Sequence, residues 1–215
     1  MKELLITAFE PFGGFKENPA LLVMNRLRPG AFPGWRLLRR RLPVSGEAVG
    51  RLAPGLIERH RPDVMVSLGL AAGEGGLRVE RFALNIKDYG IKDNSGQRPA
   101  GEPVRKGGPA AYEVGADPVR LAAAARRAGA PAHVSNFAGA YVCNHLMYES
   151  LHAIARKGLA TSYAFLHLPL ATEMALRETS GRAVPSLPLD LLVKASAAAI
   201  KAALRSHAIG RTERL

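Results

Sequence analysis

The chain has 215 residues, 47% of them hydrophobic, with 30 basic against 18 acidic side chains and one cysteine. That length and apolar content suit one α/β domain around a single large core. One cysteine excludes an internal disulfide framework and suits a reducing cytoplasm. The opening Met-Lys-Glu-Leu-Leu-Ile-Thr is too short an apolar run for a signal peptide, and no stretch approaches the roughly 20 apolar residues of a membrane span. The net charge of +12 is spread along the chain and no nucleic-acid module accompanies it. A solvated basic surface is expected, not a nucleic-acid site.

Leu4 to Ala8 reads as a first, buried parallel strand. The loop that follows, Phe9-Glu10-Pro11-Phe12-Gly13-Gly14-Phe15, puts three Phe in seven residues at the edge where open α/β sheets bind ligands. They form either a local minicore or an aromatic wall. Asn18-Pro19 supplies a cap and a first helical residue for a helix to about Leu27. Trp35 to Pro43 reads as a more exposed edge strand. Ser45 caps a helix to about His60, with a kink expected at Pro54. A third strand, Val64 to Leu68, ends in Gly69-Leu70-Ala71-Ala72-Gly73, small residues that admit a ligand or a second backbone.

Leu77 to Ile86 alternates as one strand carrying Glu80, whose face the pattern leaves open. Lys87 to Gly108 has no period and reads as a long, mobile loop of the kind that tends to be functional in a compact domain. Ala110 to Val114 reads as a short strand, and Asp117-Pro118 caps a helix to about Ala128. Ala132 to Ser135 is a strand end, and Leu146, Met147, Leu151 and Ile154 recur at helical spacing after it. Tyr163 to Pro169 is a buried strand with His167 near its C-terminal end. Leu187 to Ala203 is an Ala-rich amphipathic helix, and His207 to Leu215 is expected to fray. Alternating strands and helices predict a single-domain three-layer α/β/α sandwich spanning residues 1–215, around a twisted and mostly parallel sheet.

Cys143 therefore falls at a strand-to-helix junction. Unpaired N–H groups and the helix dipole there favour a thiolate and can stabilise an oxyanion, although a lone cysteine is more commonly a small buried hydrophobe. Glu80 and His167 lie at or near other strand ends, and a thiol, an imidazole and a carboxylate together make a nucleophilic triad if geometry allows. His145, two residues from Cys143, is a competing base whose side chain is expected to point away. A single Cys and scattered His show no metal-ligand spacing, and no phosphate loop or Gly-x-Ser-x-Gly elbow is present.

The Phe9 to Gly14 loop with Asn18-Pro19 closely resembles the opening of the pyrrolidone-carboxylate peptidases (pyroglutamyl peptidase I). Gly69 to Gly73 with Glu80-Arg81 and Asn85-Ile86, Ser135-Asn136 with Val142 to Tyr148, and Phe165 to Pro169 are similar to further motifs of that family, in order along nearly the whole chain. The resemblance implies a cytoplasmic thiol peptidase without a cofactor or metal, usually a homotetramer, that hydrolyses N-terminal pyroglutamyl residues from peptides through a thioester. It implies Cys143 as nucleophile, His167 as general base and then acid, and Glu80 as the group orienting the histidine. Phe9 and Phe12 would clamp the flat lactam, and Ile91, Tyr141 and Val142 would line the rest of the pocket. An inactive binding protein of the same fold, or another cysteine-dependent cyclic amidase, are the alternatives. Gly90 and Tyr141 stand where many members of the family have Arg and Phe, and Leu70 replaces a Gln found in some members. Tyr141 thereby adds a hydroxyl that needs a partner if it is buried.

Overall fold

In chain order the structure, a computed structural model that describes residues 1–178 and 183–212, runs β1 (Lys2–Phe9), α1 (Pro19–Arg26), β2 (Trp35–Leu42), α2 (Gly46–His60), β3 (Val64–Leu70), β4 (Leu77–Glu80), β5 (Phe82–Leu84) and β6 (Ala111–Glu113). It continues through α3 (Pro118–Arg127), β7 (Ala132–Ser135), α4 (Val142–Arg156), β8 (Ser162–Leu168), β9 (Leu170–Ala171), α5 (Thr172–Glu178), β10 (Ser186–Leu187) and α6 (Leu189–Thr212). Asn18, Ser45 and Asp117 each turn a side-chain oxygen onto the first free N–H groups of α1, α2 and α3, as their positions before the apolar periods predict. α2 remains helical across Pro54.

Six strands form the main sheet in the order β2-β1-β3-β8-β4-β7. The first four run parallel, whereas β4 runs antiparallel to β8 and pairs parallel with β7. This is the mostly parallel three-layer sandwich that the sequence predicts. Because side chains alternate across a strand, the strands feed two separate cores. Leu4, Ile6, Val64, Val66, Val79, Ala164 and Leu166 meet α1, α3 and α6 on one face. Leu5, Met65, Tyr163 and Phe165 meet α2 and α4 on the other. On this second face Thr7 donates to the Ser67 hydroxyl at 2.8 Å and Tyr163 to the same oxygen at 3.0 Å, which satisfies three buried hydroxyls between the strands.

Two expectations of the secondary structure are corrected. The run from Leu77 to Ile86 is two strands, because Arg81 divides it. The Arg81 N–H donates to the Ser135 carbonyl at 2.8 Å, while its own carbonyl accepts from the Val114 N–H at 3.0 Å, so the chain passes from the main sheet to a separate β5–β6 pair. The expected strand from Ala110 to Val114 is accordingly β6, outside the main sheet. The fraying expected from His207 does not hold over the residues described. α6 continues to Thr212, and His207 is buried, its Nε2 3.6 Å from Asp63 and its ring edge-on to Trp35. Residues 213–215 lie outside the described residues.

The segment from Lys87 to Gly108 is irregular, as read, but firmly attached. Asp93, 5% exposed, accepts from the N–H groups of Gly46, Ser95 and Gln97, and Asn94 donates to Glu10 and to the Pro11 carbonyl.

Asn144 ties α4 to the edge of β5. Its Oδ1 accepts from Leu84 N–H at 2.8 Å, and its Nδ2 donates to the carbonyls of Leu84 and Ile86 at 2.9 and 3.0 Å. Asn144→Ala would leave those buried groups without partners, at roughly 1–3 kcal/mol for an orphaned donor or acceptor. We expect a loss of about 3 kcal/mol, read as a Tm lower by roughly 5–10 °C in a thermal melt.

Candidate active site

Alternation decides what reaches one face at the sheet's end. Leu77 and Val79 of β4 point into the α1–α3–α6 core, so Arg78 and Glu80 point to the opposite face, that of α4. On β8, Leu166 and Leu168 belong to the first face and Phe165 and His167 to the second. The β4–β8 register sets Arg78 directly opposite His167, and Glu80 opposite Phe165. Glu80 thus lies diagonally from His167 and reaches it, Oε1 standing 2.8 Å from His167 Nδ1. Gly69 on β3 gives these rings their room, since a Cβ there would sit 2.9 Å from Phe165 and 3.0 Å from His167.

Glu80 is fully buried. Burial works to raise its carboxyl, but the hydrogen bond and charge of His167, the Ser135 hydroxyl and the Arg78 charge outweigh it, so the carboxyl lies below the ordinary range. In the neutral imidazole an ionised Glu80 fixes the tautomer: Nδ1–H donates to the carboxylate, which leaves the lone pair on Nε2.

Cys143 is the second residue of α4 and is 8% exposed. The turn before it is made by Gly139 at φ +82°, a left-handed conformation that favours glycine. The helix start favours a thiolate, and burial works against it in the resting site. Burial pushes the thiol up to about 12, the Glu80 charge adds to the rise, and Arg78 opposes it.

Cys143 and His167 line one cavity of about 450 Å³, whose wall includes Phe12, Phe15, Leu70, Ile91, Phe137 and Tyr141. Phe12 and Tyr141 pack ring to ring at 5.9 Å. The Tyr141 hydroxyl donates to the Lys92 carbonyl at 3.1 Å, which supplies the partner its position requires. Phe9 and Val142 are not on the wall: at 2% and 1% exposed they belong to the core on the α4 side. Ile91, by contrast, is 49% exposed at the rim.

His145 points away from this cavity, as expected. Its Nδ1 is hydrogen-bonded to the Tyr89 hydroxyl at 3.1 Å, and it faces a separate cleft beside Lys87 and Asp93. Burial, then the charges of Lys87 and Arg105, hold it neutral with a pKa near 4. Arg78 is the site residue that sequence reasoning missed. It donates to Glu74 at 3.2 Å, to Ser135 at 2.9 Å and to the Phe137 carbonyl, and its Nε lies 3.1 Å from Glu80 Oε1. The available signal was its spacing of two from Glu80 on a strand. Among the described residues, no three His, Cys, Asp or Glu side chains converge as a metal-ligand set. No helix among them is long and apolar enough to cross a membrane.

Fold and cavity together define an α/β peptidase. Residues 2–206 match the family described as pyroglutamyl peptidase, and the chain belongs to that family. It is 41% identical over 204 residues to the pyrrolidone-carboxylate peptidase of Thermococcus onnurineus, covering 95% of this chain and 100% of the relative. The Levilactobacillus brevis pyrrolidone-carboxylate peptidase is 39% identical, with 96% and 99% covered. Among solved structures, a variant pyrrolidone carboxyl peptidase from Pyrococcus furiosus superposes with a TM-score of 0.90 at 33% identity, covering 95% of this chain and 99% of that one. The pyroglutamyl peptidase I of Bacillus amyloliquefaciens gives a TM-score of 0.86 at 35% identity, with 94% and 95% covered.

A thiol held up to about 12 is almost wholly protonated near neutrality, and its thiolate fraction grows about tenfold per pH unit below that value. Iodoacetamide modification of Cys143 in the free protein should therefore keep accelerating between about pH 6 and pH 9. A rate plateau near neutral pH would show a resting thiolate instead.

Proposed function

We propose that the chain is a cysteine exopeptidase that hydrolyses the N-terminal pyroglutamyl residue from peptides, with Cys143, His167 and Glu80 as its triad. One observation carries this reading: the thiol and a carboxylate-paired imidazole share a cavity walled by Phe12, Ile91 and Tyr141. A lactam has no charged amine, so an apolar aromatic wall accepts it at little cost, whereas an ordinary N-terminus would bring an ammonium group into the same space.

Cys143 Sγ attacks the carbonyl carbon of the exocyclic amide as its proton passes to His167 Nε2. N–H groups at the start of α4 stabilise the oxyanion. His167 returns the proton to the departing peptide nitrogen, the C–N bond breaks, and a thioester remains on Cys143. His167 then takes a proton from water, whose oxygen attacks the thioester. That proton goes to sulfur as pyroglutamate leaves. Glu80 holds the ring in place and stabilises the transient imidazolium. Assembly as a homotetramer and residence in the cytoplasm belong to the same reading. They rest on the family resemblance and, for the compartment, on a thiol that must stay reduced to act.

Turnover of a pyroglutamyl anilide beside prolyl and alanyl anilides tests the substrate class. Hydrolysis of the pyroglutamyl compound alone is expected. Cys143→Ala should abolish turnover with the fold intact, and His167→Ala should lower it by roughly 100- to 10,000-fold. Glu80→Gln should cost less, because it keeps an acceptor for the imidazole. Turnover that survives complete alkylation of Cys143 would reject the nucleophile.

The two clamp positions should separate in kinetics and melting. Phe12→Ala is expected mainly to raise KM, since wall contacts are shared by ground and transition states. Phe9, buried in the core, should cost about 3–5 kcal/mol on truncation to Ala. Equal melting temperatures for Phe9→Ala and wild type would return Phe9 to the pocket wall.

A further inference from the structure

We infer that Arg78 is a positioning residue of the reaction: it binds the carboxylate that orients His167 and the loop that carries Cys143, and so fixes the two halves of the site against each other. This rests on the triad proposed above. The contacts fall on two sides. On β4 itself the guanidinium lies against Glu80, with Nε 3.1 Å from Oε1, the same oxygen that accepts from His167 Nδ1. Across to β7 and beyond, it donates to Ser135 Oγ at 2.9 Å and to the Phe137 carbonyl. Ser135 Oγ in turn accepts from the Phe137 N–H at 3.3 Å, so Arg78 holds both ends of a short turn. Four residues after Phe137 comes Tyr141, the residue preceding α4, and then Cys143. One planar cation therefore spans the end of β4 and the start of the nucleophile loop, for which the fork geometry of Arg suits better than a point charge.

Its side chain is only 21% exposed and lines the cavity with Cys143 and His167. Structural padding does not require a guanidinium there. A cation directly opposite a histidine across two strands is unfavourable unless a carboxylate lies between them, and Glu80 does. The charge also bears on the thiol. The groups around Cys143 are Glu80 and Arg78 from β4, His167 and Tyr163 from β8, Tyr141 before α4, and Tyr89 from the irregular segment. The tyrosines are pushed up by burial and remain neutral. Of the fixed charges, Glu80 raises the thiol and Arg78 lowers it. Removing Arg78 thus acts on orientation and on thiolate formation in the same direction.

The experiment is a double-mutant cycle on the full chain with a pyroglutamyl anilide. Arg78→Gln should lower kcat by on the order of 10- to 100-fold, the scale for groups one contact removed from a working histidine, with KM little changed. Introduced into Glu80→Gln, the same change should cost much less, because the carboxylate through which Arg78 acts is gone. Iodoacetamide modification of Cys143 should be slower in Arg78→Gln than in wild type at every pH, whereas loss of a merely structural contact would leave that profile in place. If Arg78→Gln does not fold, Arg78→Lys carries the test. Lysine keeps the charge but cannot reach both sides at once, so kcat should fall while the alkylation profile stays near wild type. Wild-type kcat in the folded variant, or equal losses in both backgrounds, overturns the inference. Cys143→Ala and His167→Ala assayed in parallel separate the readings: if they retain turnover the triad itself fails, and if they are inactive while Arg78→Gln matches wild type, only the role of Arg78 falls.

Discussion

The direction of β4 governs the site. Running against β8, this strand lays Arg78 across from His167 and Glu80 across from Phe165, with all four side chains on one face. The carboxylate then approaches the imidazole diagonally across the ladder, within the 7–8 Å spacing at which long side chains on diagonal positions meet. Everything that follows, the tautomer of His167, the ionisation of Glu80 and the place of Arg78, derives from that register. The parallel partner β7 completes it by bringing Ser135 beside Glu80 and leading into the turn before α4.

The same geometry sets the electrostatic character of the cavity. The carboxylate is buried yet ionised because three cationic or donating neighbours, His167, Ser135 and Arg78, address it, while the thiol is buried with less support and keeps its proton. In the triad proposed above, the proton would move only when the carbonyl arrives, which places the demand on the alignment of Cys143, at the start of α4, with His167, near the end of β8. Supporting contacts are dense here, and Asn144, immediately after Cys143, is committed to holding a neighbouring strand.

Much of this was legible in the chain. The caps at Asn18, Ser45 and Asp117, the strand end at His167, the helix start at Cys143 and the exposure of β2 all follow from local pattern. Glu80 was ambiguous for a specific reason. Its run was read as one strand, and the break at Arg81 depends on carbonyls and N–H groups of Ser135 and Val114, which are distant in sequence. Leu77 and Val79 did show which face was apolar, so the shared face of Arg78 and Glu80 was recoverable, but strand direction was not. Phe9 and Phe12 looked equivalent in a loop rich in Pro and Gly. Phe9 is the last residue of β1 and continues its inward alternation, whereas Phe12 lies beyond the strand and borders the cavity. His207 looked like tail because its environment, Asp63 and Trp35, is assembled only by the fold.

The outer edge of the sheet has a bearing on how copies of this chain meet. β2 is an end strand, and its Arg36, Arg39, Arg40 and Arg41 are exposed, two of them paired with Glu3 and Glu10. An open strand edge is a template for adding further strands. A second copy laid along this one would set a row of guanidinium groups against an identical row. Lengthening of the sheet from chain to chain along this edge is thereby opposed by mutual repulsion.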